Sequence, residues 1–177
     1  MTIRKIITIN DETDISAILH KPADSVTNFD DNLQNLIYDL IDTMKSDIIC
    51  ICLAAPQIGV SQQVAVVCLD RNFSNAKIII NPTNVIESGH KDIKRESCMS
   101  LPDLCGNIER RKHLSVNINT VNGDKTTLQL ADFEARAVIH EIDHLNGILY
   151  SDKIKGELSP ISFDEVREKL KHRNLSS

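Results

Sequence analysis

The segment His140-Glu141-Ile142-Asp143-His144 predicts a metal-binding helix at the centre of this fold. On a helix, side chains four residues apart lie one turn above each other, with Cβ atoms about 5 to 6 Å apart. The two imidazoles can therefore share one divalent metal ion, while Glu141 points to the flank of the pair and can serve as a base. A solvated helix that carries two histidines without a metal is the alternative interpretation.

The residues on either side predict that this segment is helical. Asp132 is a candidate N-cap, and Glu134 adds negative charge to the first turn. Gly147 can take the left-handed conformation that ends a helix after Asn146. We therefore expect the histidine pair to lie on a helix that begins near residue 132 and ends near residue 146.

Apolar spacing predicts a helix on each side of this segment. In residues 28–44 the apolar residues recur every three or four positions, and Asp30 and Asp31 lie near the expected N-terminus. A final helix is expected to begin at Ser162, because Ser162 and Glu165 form a capping box.

Shorter apolar runs predict strands. Residues 48–53, 64–69 and 77–80 lack polar alternation, as in strands that are covered on both faces. Residues 114–119 alternate, and Asn122-Gly123 precedes a second alternating run around Leu128 and Leu130, which indicates a hairpin. We expect one α+β domain over residues 1–177, in which antiparallel strands and hairpins wrap around a central metal-binding helix, with N-terminal and C-terminal helices.

The composition restricts the class of protein. The chain has 177 residues and a formal net charge of −5, with no cluster of lysine and arginine, which argues against nucleic acid or an anionic membrane as main partner. The longest apolar run, residues 48–55, is far shorter than the ~20 residues that span a bilayer. No secretory signal or Arg-rich leader is evident, so we expect a cytoplasmic protein of bacterial type whose five cysteines are reduced.

A catalytic metal site of the zinc type needs three protein ligands and one open position, so the histidines require a third ligand. The cysteines, Glu96 and downstream acidic residues are candidates. Cys98 is the best of them, because it lies in a short segment of small and polar residues bounded by Pro102, where a thiolate can be presented at a strand end. Cys68 is interpreted as a packing residue and Cys105 as a loop residue without a partner. Cys50 and Cys52 are also interpreted as packing residues, with a Cys-x-Cys metal site as the alternative.

Three separated segments resemble the three motifs of the peptide deformylases. They are Leu53-Ala54-Ala55-Pro56-Gln57-Ile58-Gly59, Glu96-Ser97-Cys98-Met99-Ser100 and His140-Glu141-Ile142-Asp143-His144-Leu145-Asn146-Gly147. Their order and spacing fit that family, and the resemblance covers most of the chain from about residue 30 to residue 155.

The resemblance implies a hydrolase that removes the formyl group from formyl-methionyl nascent peptides and releases formate. It implies a metal site made of Cys98, His140 and His144. This site is expected to bind Fe2+ in the cell, with Zn2+, Ni2+ or Co2+ as substitutes. Such a ligand set with one open position is that of a catalytic site. N-formylmethionyl peptides are the expected partners and the ribosome a transient one, whereas no membrane and no specific nucleic-acid partner is expected.

The resemblance also implies roles for other residues. Glu141 is expected to act as general base and then general acid, and the Gln57 side-chain amide and the Met99 backbone N–H are expected to stabilise the oxyanion. The substrate is expected to contact an apolar methionine pocket and its neighbours: Ile51, Cys52, Leu53, Ser97, Phe133 and Ala137. Asp143 is expected to orient a ligand histidine, and Glu96 and Arg110 to form a charge pair that supports the cysteine loop.

Three positions depart from the family pattern, which has glycine where this chain has Cys50, Cys52 and Ser97. Glycine there lets a ligand or another backbone approach closely, so we expect the Cys52 side chain to narrow the cleft and Ser97 to shift the Cys98 loop. The alternative function is therefore a diverged, non-catalytic homologue that binds metal and peptide N-termini. A zinc peptidase of the His-Glu-x-x-His type is disfavoured, because the cysteine ligand lies upstream of the histidines.

Overall fold

The computed structural model describes residues 2–174, which form one antiparallel sheet and four α-helices. The helices are Thr13–Ser16 (α1), Asp31–Ser46 (α2), Asp132–Leu145 (α3) and Phe163–Asn174 (α4). The strands are Cys52–Ala54 (β1), Val64–Val67 (β2), Lys77–Cys98 (β3), Leu101–Asn119 (β4), Lys125–Ala131 (β5) and Ser159–Pro160 (β6). The sheet has the order β1-β2-β3-β4-β5, and β6 pairs with β4. The predicted α+β fold is confirmed.

The first long helix, α2, packs against β1 and β2. Its N-cap is Asp30, whose side chain accepts hydrogen bonds from the backbone N–H groups of Asn32 and Leu33, so the helix begins at residue 31 and not at residue 28. The buried side chains recur at helical spacing: Leu33, Leu36, Ile37, Leu40 and Met44. They form one core cluster with apolar side chains of the first two strands, among them Leu53 and Val66.

The chain does not form the predicted strand over residues 48–53, because β1 covers only Cys52–Ala54. The guanidinium of Arg71 donates hydrogen bonds to three carbonyl groups of this stretch, those of Asp47, Ile48 and Cys50. These carbonyls are thus satisfied by a side chain and not by a neighbouring strand. Residues 47–51, called the 47–51 loop below, are held in place at the end of α2.

The long hairpin of β3 and β4 forms the greater part of the sheet. β3 pairs with β2 through residues 77–80 and with β4 along the rest of its length. The sequence predicted that this strand ends at residue 80, which was wrong, because the strand continues to Cys98. Positive φ values at Asn81 and Asn84 and several register shifts interrupt the alternation, and the middle of the strand is exposed and polar. The predicted second hairpin is confirmed, with Val116 opposite Leu128.

The helix α3 is the central element, and all of its residues from Ala135 to Leu145 are buried. It contacts β1, β2, β4 and β5. Its N-cap is Ala131 and not the predicted Asp132, which instead takes a left-handed φ of 52°. Gly147 has the expected left-handed φ, of 71°, and a Cβ there would lie 2.6 Å from the backbone of Lys21.

The last helix, α4, begins at Phe163, and the hydroxyl of Ser162 accepts a hydrogen bond from the backbone N–H of Glu165, as the capping box predicted. In the part of the chain that the structure describes, no helix combines the length and the apolar content needed to cross a membrane.

Candidate active site

Three buried side chains converge between β3 and α3. Cys98 is the last residue of β3, and His140 and His144 lie one turn apart on α3. One ligand atom from each residue lies within 4.8 Å of the other two, and Cys98 Sγ is 3.2 Å from His144 Nε2. Among the described residues, this is the one cluster of such side chains that is arranged to hold a metal ion. The structure brings the three predicted ligands together.

A tight turn of residues 99 and 100 presents the Cys98 sulfur. The sulfur accepts hydrogen bonds from the Ser100 backbone N–H and from Gln57 Nε2, each at 3.4 Å. Burial alone would raise the pKa of Cys98, but His144 and His140 lower this pKa well below its usual value. The sulfur is therefore a thiolate, which is the form that binds metals.

The charges around the cluster favour a bound cation. Burial lowers the pKa of His140, but hydrogen bonds with Cys98 and Glu96 outweigh burial and raise this pKa to about 10. The raised pKa shows that the groups around this ring stabilise positive charge at the cluster. A thiolate and two imidazoles are donors that divalent transition metals bind. The residues present therefore fit one divalent metal ion with a position left open for water or substrate.

A buried carboxylate, that of Glu96, orients the first histidine. Its Oε2 lies 3.1 Å from His140 Nδ1, which leaves the Nε2 atom of that ring for a metal. Arg110 donates two hydrogen bonds to Glu96, at 2.6 and 2.9 Å, and Arg136 donates a third at 2.6 Å. Burial alone would raise the pKa of Glu96, but His140 and Arg110 lower it to about 2. The predicted pair of Glu96 and Arg110 is present, as part of a buried network.

Asp143 belongs to this network through Arg110 and does not contact His140 directly. Its carboxylate accepts hydrogen bonds from Arg110 Nη1, at 2.8 Å, and from Lys153. The link from Asp143 to the ligand histidine therefore passes through Arg110 and Glu96 and not through a direct contact.

Sequence reasoning missed Arg136. It lies one turn before His140 on α3, is 4% exposed, and also donates a hydrogen bond to Asp92 at 2.7 Å. An arginine among the apolar positions of the motif helix is a sequence signal for a buried acidic partner, because a buried cation has to be paired.

Glu141 is buried beside the two histidines and is 1% exposed. Its Oε2 atom has no hydrogen-bond partner among the described residues. Burial raises the pKa of Glu141 above its usual value, although His144, His140 and the Cys52 thiol oppose this effect. A carboxylate with these properties can accept a proton near neutral pH.

Gln57 and Met99 lie on the cysteine side of the cluster and line the same cavity. Gln57 Oε1 accepts a backbone N–H from β1 at 2.8 Å. Its Nε2 donates to Ser100 Oγ at 3.1 Å as well as to Cys98 Sγ. The amide is therefore fixed with its N–H groups directed towards the ligand cysteine.

A cavity of about 390 Å³ opens beside the cluster. Five of the residues predicted to bind substrate line it: Ile51, Cys52, Ser97, Phe133 and Ala137. Leu53 does not, because its side chain is fully buried in the core against α2. Sequence reasoning missed the part of the wall that the 47–51 loop and α4 contribute: Ile48, Ile49, Phe163, Val166 and Leu170.

Comparison with known proteins identifies this arrangement. The family model described as polypeptide deformylase matches residues 3–159. The chain is 39% identical over 138 residues to peptide deformylase 1 of Bacillus cereus, a match that covers 77% of this chain and 86% of the relative. This chain belongs to the peptide deformylase family. A match of 40% identity to peptide deformylase 1 of Bacillus anthracis likewise covers 77% of this chain and 86% of the relative.

Solved deformylase structures share the fold. The structure from Thermotoga maritima superposes with a TM-score of 0.78 at 32% identity and covers 88% of this chain and 100% of that one. The structure from Legionella pneumophila has a TM-score of 0.78 at 33% identity, with 99% and 98% covered. This chain is accordingly a metal-dependent hydrolase that removes formyl groups.

Two cysteines, Cys50 and Cys52, line the cavity of this deformylase. Burial raises the pKa of both the Cys50 and the Cys52 thiol well above the usual value, and the nearby Glu141 adds to this effect. Both thiols are therefore protonated and are not metal ligands. Cys50 Sγ donates to the Cys52 carbonyl at 3.5 Å. The two side chains occupy part of the cavity wall without displacing Cys98 from the histidines.

Cys105 is not the unpartnered loop residue that the sequence predicted. It lies on β4, where its sulfur donates to the Ser159 carbonyl at 3.1 Å and accepts from Arg95 Nε at 2.9 Å. The first part of β4 contains polar residues and a proline, which hides the strand pattern. Cys68 is buried directly after β2, as predicted.

Proposed function

We propose that this deformylase removes the formyl group from the N-terminal formyl-methionine of newly made peptides and releases formate. One observation carries the proposal, which is the convergence of the three ligands with the unpaired Glu141 oxygen at one end of an apolar cavity. Ile51, Phe133 and Ala137 supply apolar contacts that suit a methionine side chain. The whole chain, residues 1–177, would serve as one domain.

The proposed substrate also suggests where the enzyme works. Formyl-methionyl peptides appear at the ribosome, so we expect a cytoplasmic enzyme that meets the ribosome transiently. The net charge of −5 argues against a specific contact with nucleic acid during these encounters.

Cys98, His140 and His144 would hold one divalent metal ion, for which we propose Fe2+ in the cell and Zn2+, Ni2+ or Co2+ as substitutes. A bound ion of this kind lowers the pKa of water from about 15.7 towards 7 and polarises a carbonyl group. The thiolate supports this choice, since soft sulfur ligands suit zinc and iron.

Glu141 carries the proton through the reaction. Its unpaired oxygen accepts a proton from the water that attacks the formyl carbon, and the carboxylic acid so formed then protonates the departing amine. The carbon–nitrogen bond breaks, the water oxygen stays on the carbon, and formate and the free amino terminus are the products. The burial of Glu141 keeps bulk water away from this transfer.

Gln57 and Met99 stabilise the negative oxygen that develops on the formyl carbon. Gln57 has two amide hydrogens, one on Ser100 Oγ and one on Cys98 Sγ. Sulfur is the weaker acceptor, so the second hydrogen is the one that turns to the substrate oxygen. The Met99 backbone N–H is the second donor, as expected for a residue in the turn next to the ligand cysteine.

Formate release from a formyl-Met tripeptide tests the proposal. The protein is reconstituted anaerobically with Fe2+ or Ni2+ and compared with Cys98→Ala prepared in the same way. Release by the wild type that disappears in the variant is the expected result. A wild-type protein that holds one metal ion per chain and releases no formate would overturn the proposal.

A further inference from the structure

The active-site cavity continues beyond the catalytic residues to the C-terminal helix. The catalytic end is formed by Gln57, Cys98 and Glu141, and the same cavity extends to side chains of α4. The family model ends at residue 159, so α4 lies beyond the segment that defines the family. A wall of the cavity is therefore supplied by a part of the chain that none of the three motifs describes.

The start of α4 is fixed to one side of the cavity. The strand β6 pairs with β4 just before the helix. The Ile161 backbone N–H then donates to the Asp103 carbonyl at 3.0 Å, and the Phe163 backbone N–H donates to the Asp103 carboxylate at 2.9 Å. These bonds hold the first turn of α4 beside the start of β4.

The middle of α4 is bound to the 47–51 loop. Arg167 Nε and Nη2 bind the carboxylate of Asp47, with the shortest distance 2.7 Å. This two-pronged geometry is the strong form of an arginine–carboxylate pair. Asp47 belongs to the 47–51 loop, which Arg71 holds through the loop carbonyls. The helix is thus attached both to the start of β4 and to the 47–51 loop.

The face of α4 that meets the cavity is apolar. Phe163, Val166 and Leu170 follow helical spacing and all line the cavity, and the last two remain half-buried. Four charged side chains of the helix are exposed, where Lys169 approaches Glu165 and Lys171 pairs with Glu168. Ile48 and Ile49 of the 47–51 loop line the same cavity.

We propose that α4, together with Ile48 and Ile49 of the 47–51 loop, forms a specificity site for the two residues that follow the formyl-methionine, and that this site prefers apolar side chains. The proposal rests on the proposed function for the orientation of the substrate, with the formyl group at Glu141. The occupant is the peptide itself, because the cavity is continuous with the catalytic residues and the α4 side chains that line it, Phe163, Val166 and Leu170, are apolar. A contact this far from the reacting bond acts on binding, so the preference should lie in KM and not in kcat.

Two readouts test this site, one of which does not require turnover. The kcat/KM values for formyl-Met-Leu-Leu and formyl-Met-Ser-Ser give the preference in catalysis. Calorimetric Kd values for the products Met-Leu-Leu and Met-Ser-Ser give it in binding alone. We expect the wild type to prefer the leucine peptides in both measurements. Leu170→Ala should lower the preference by about tenfold, as for truncated apolar contacts in binding pockets.

Two controls distinguish the loss of an apolar contact with the peptide from a general loss of structure in α4. Lys169→Ala, at an exposed position of the same helix, should leave both preferences unchanged. Arg167→Asp should weaken the preference because like charges then face each other, and Asp47→Arg combined with Arg167→Asp should restore it. Unchanged preferences in Leu170→Ala, or a wild type that binds the two product peptides equally, would overturn the proposal. A preference in binding without formate release would instead contradict the proposed function and leave this site supported.

Discussion

At the scale of single residues, Glu141 is the group to which the proposed function assigns proton transfer. It combines burial, a raised pKa and a carboxylate oxygen that no described residue binds. Glu141→Gln keeps the size of the side chain and removes the base, so we expect one metal ion per chain and a loss of turnover of about 10² to 10⁴-fold. Elemental analysis and formate release measure the two quantities. Turnover close to that of the wild type would show that another group takes the proton.

Gln57 is the residue to which the proposed function assigns side-chain stabilisation of the oxyanion, and its amide donates to Ser100 Oγ and Cys98 Sγ in the structure. Gln57→Leu removes both N–H groups and keeps the three metal ligands, so we expect kcat to fall about 10² to 10³-fold with the metal content unchanged. Ser100→Ala is the matched control, because it removes only the hydroxyl that accepts one of these hydrogens. A Gln57→Leu variant no slower than Ser100→Ala would exclude Gln57 from stabilising the oxyanion.

At the scale of elements, Glu96 joins the β3–β4 hairpin to α3 and makes their packing depend on pH. Its pKa is lowered from 4.5 to about 2 in the folded protein, with hydrogen bonds from His140 and Arg110 overcoming the effect of burial. A lowered folded-state pKa means that the stabilisation is complete above about pH 4.5 and is lost as the pH falls towards 2. We expect metal-free wild-type protein to lose unfolding free energy over this range.

Glu96→Gln provides the comparison for this pH effect. The variant should be less stable than the wild type at pH 7 by about 3 to 5 kcal/mol, because Arg110 and Arg136 lose the charge that pairs them. The difference should shrink as the pH falls towards 3, since protonation removes the same charge from the wild type. Urea unfolding at pH 7, 4 and 3 measures the unfolding free energy of the wild type and of the variant. If the two free energies change in parallel with pH, Glu96 is not the group that titrates.

The elements that could be predicted from sequence are those with local signals. α3 and its three-part site follow from histidine spacing, Gly147 and the motif order, and the second hairpin follows from alternation around Asn122-Gly123. The greater part of β3 could not be predicted, because its exposed and polar residues bury too little apolar surface to leave a pattern. The strand predicted over residues 48–53 failed for a different reason. Arg71, about twenty residues away in sequence, binds the carbonyls that a strand would have paired.

At the scale of the whole molecule, the walls of the cavity depend on contacts between distant parts of the chain. Asp47 and Arg167 are 120 residues apart in sequence, and neither belongs to a motif. The cluster of Cys98, His140 and His144 was predictable because metal binding demands particular side chains at suitable spacing. The outer wall of the cavity was not, because any apolar face at the right place can form it. Sequence reasoning therefore identified Cys98 and missed Leu170.

The metal ligands come from two elements that are distant in sequence, so a bound ion should stabilise the whole fold. Cys98 ends β3, and His140 and His144 lie 42 and 46 residues later on α3. Metal that binds only the folded chain, at about 1,000 times its Kd, adds about 4 kcal/mol, which corresponds to a rise in Tm of about 8 to 16 °C for a chain of this size. We expect a chelator to lower Tm by this amount and Cys98→Ala to show a much smaller response, measured by scanning calorimetry with metal content determined in parallel. A wild-type Tm that stays constant while the metal is removed would show that the ion does not stabilise the fold by linking β3 to α3.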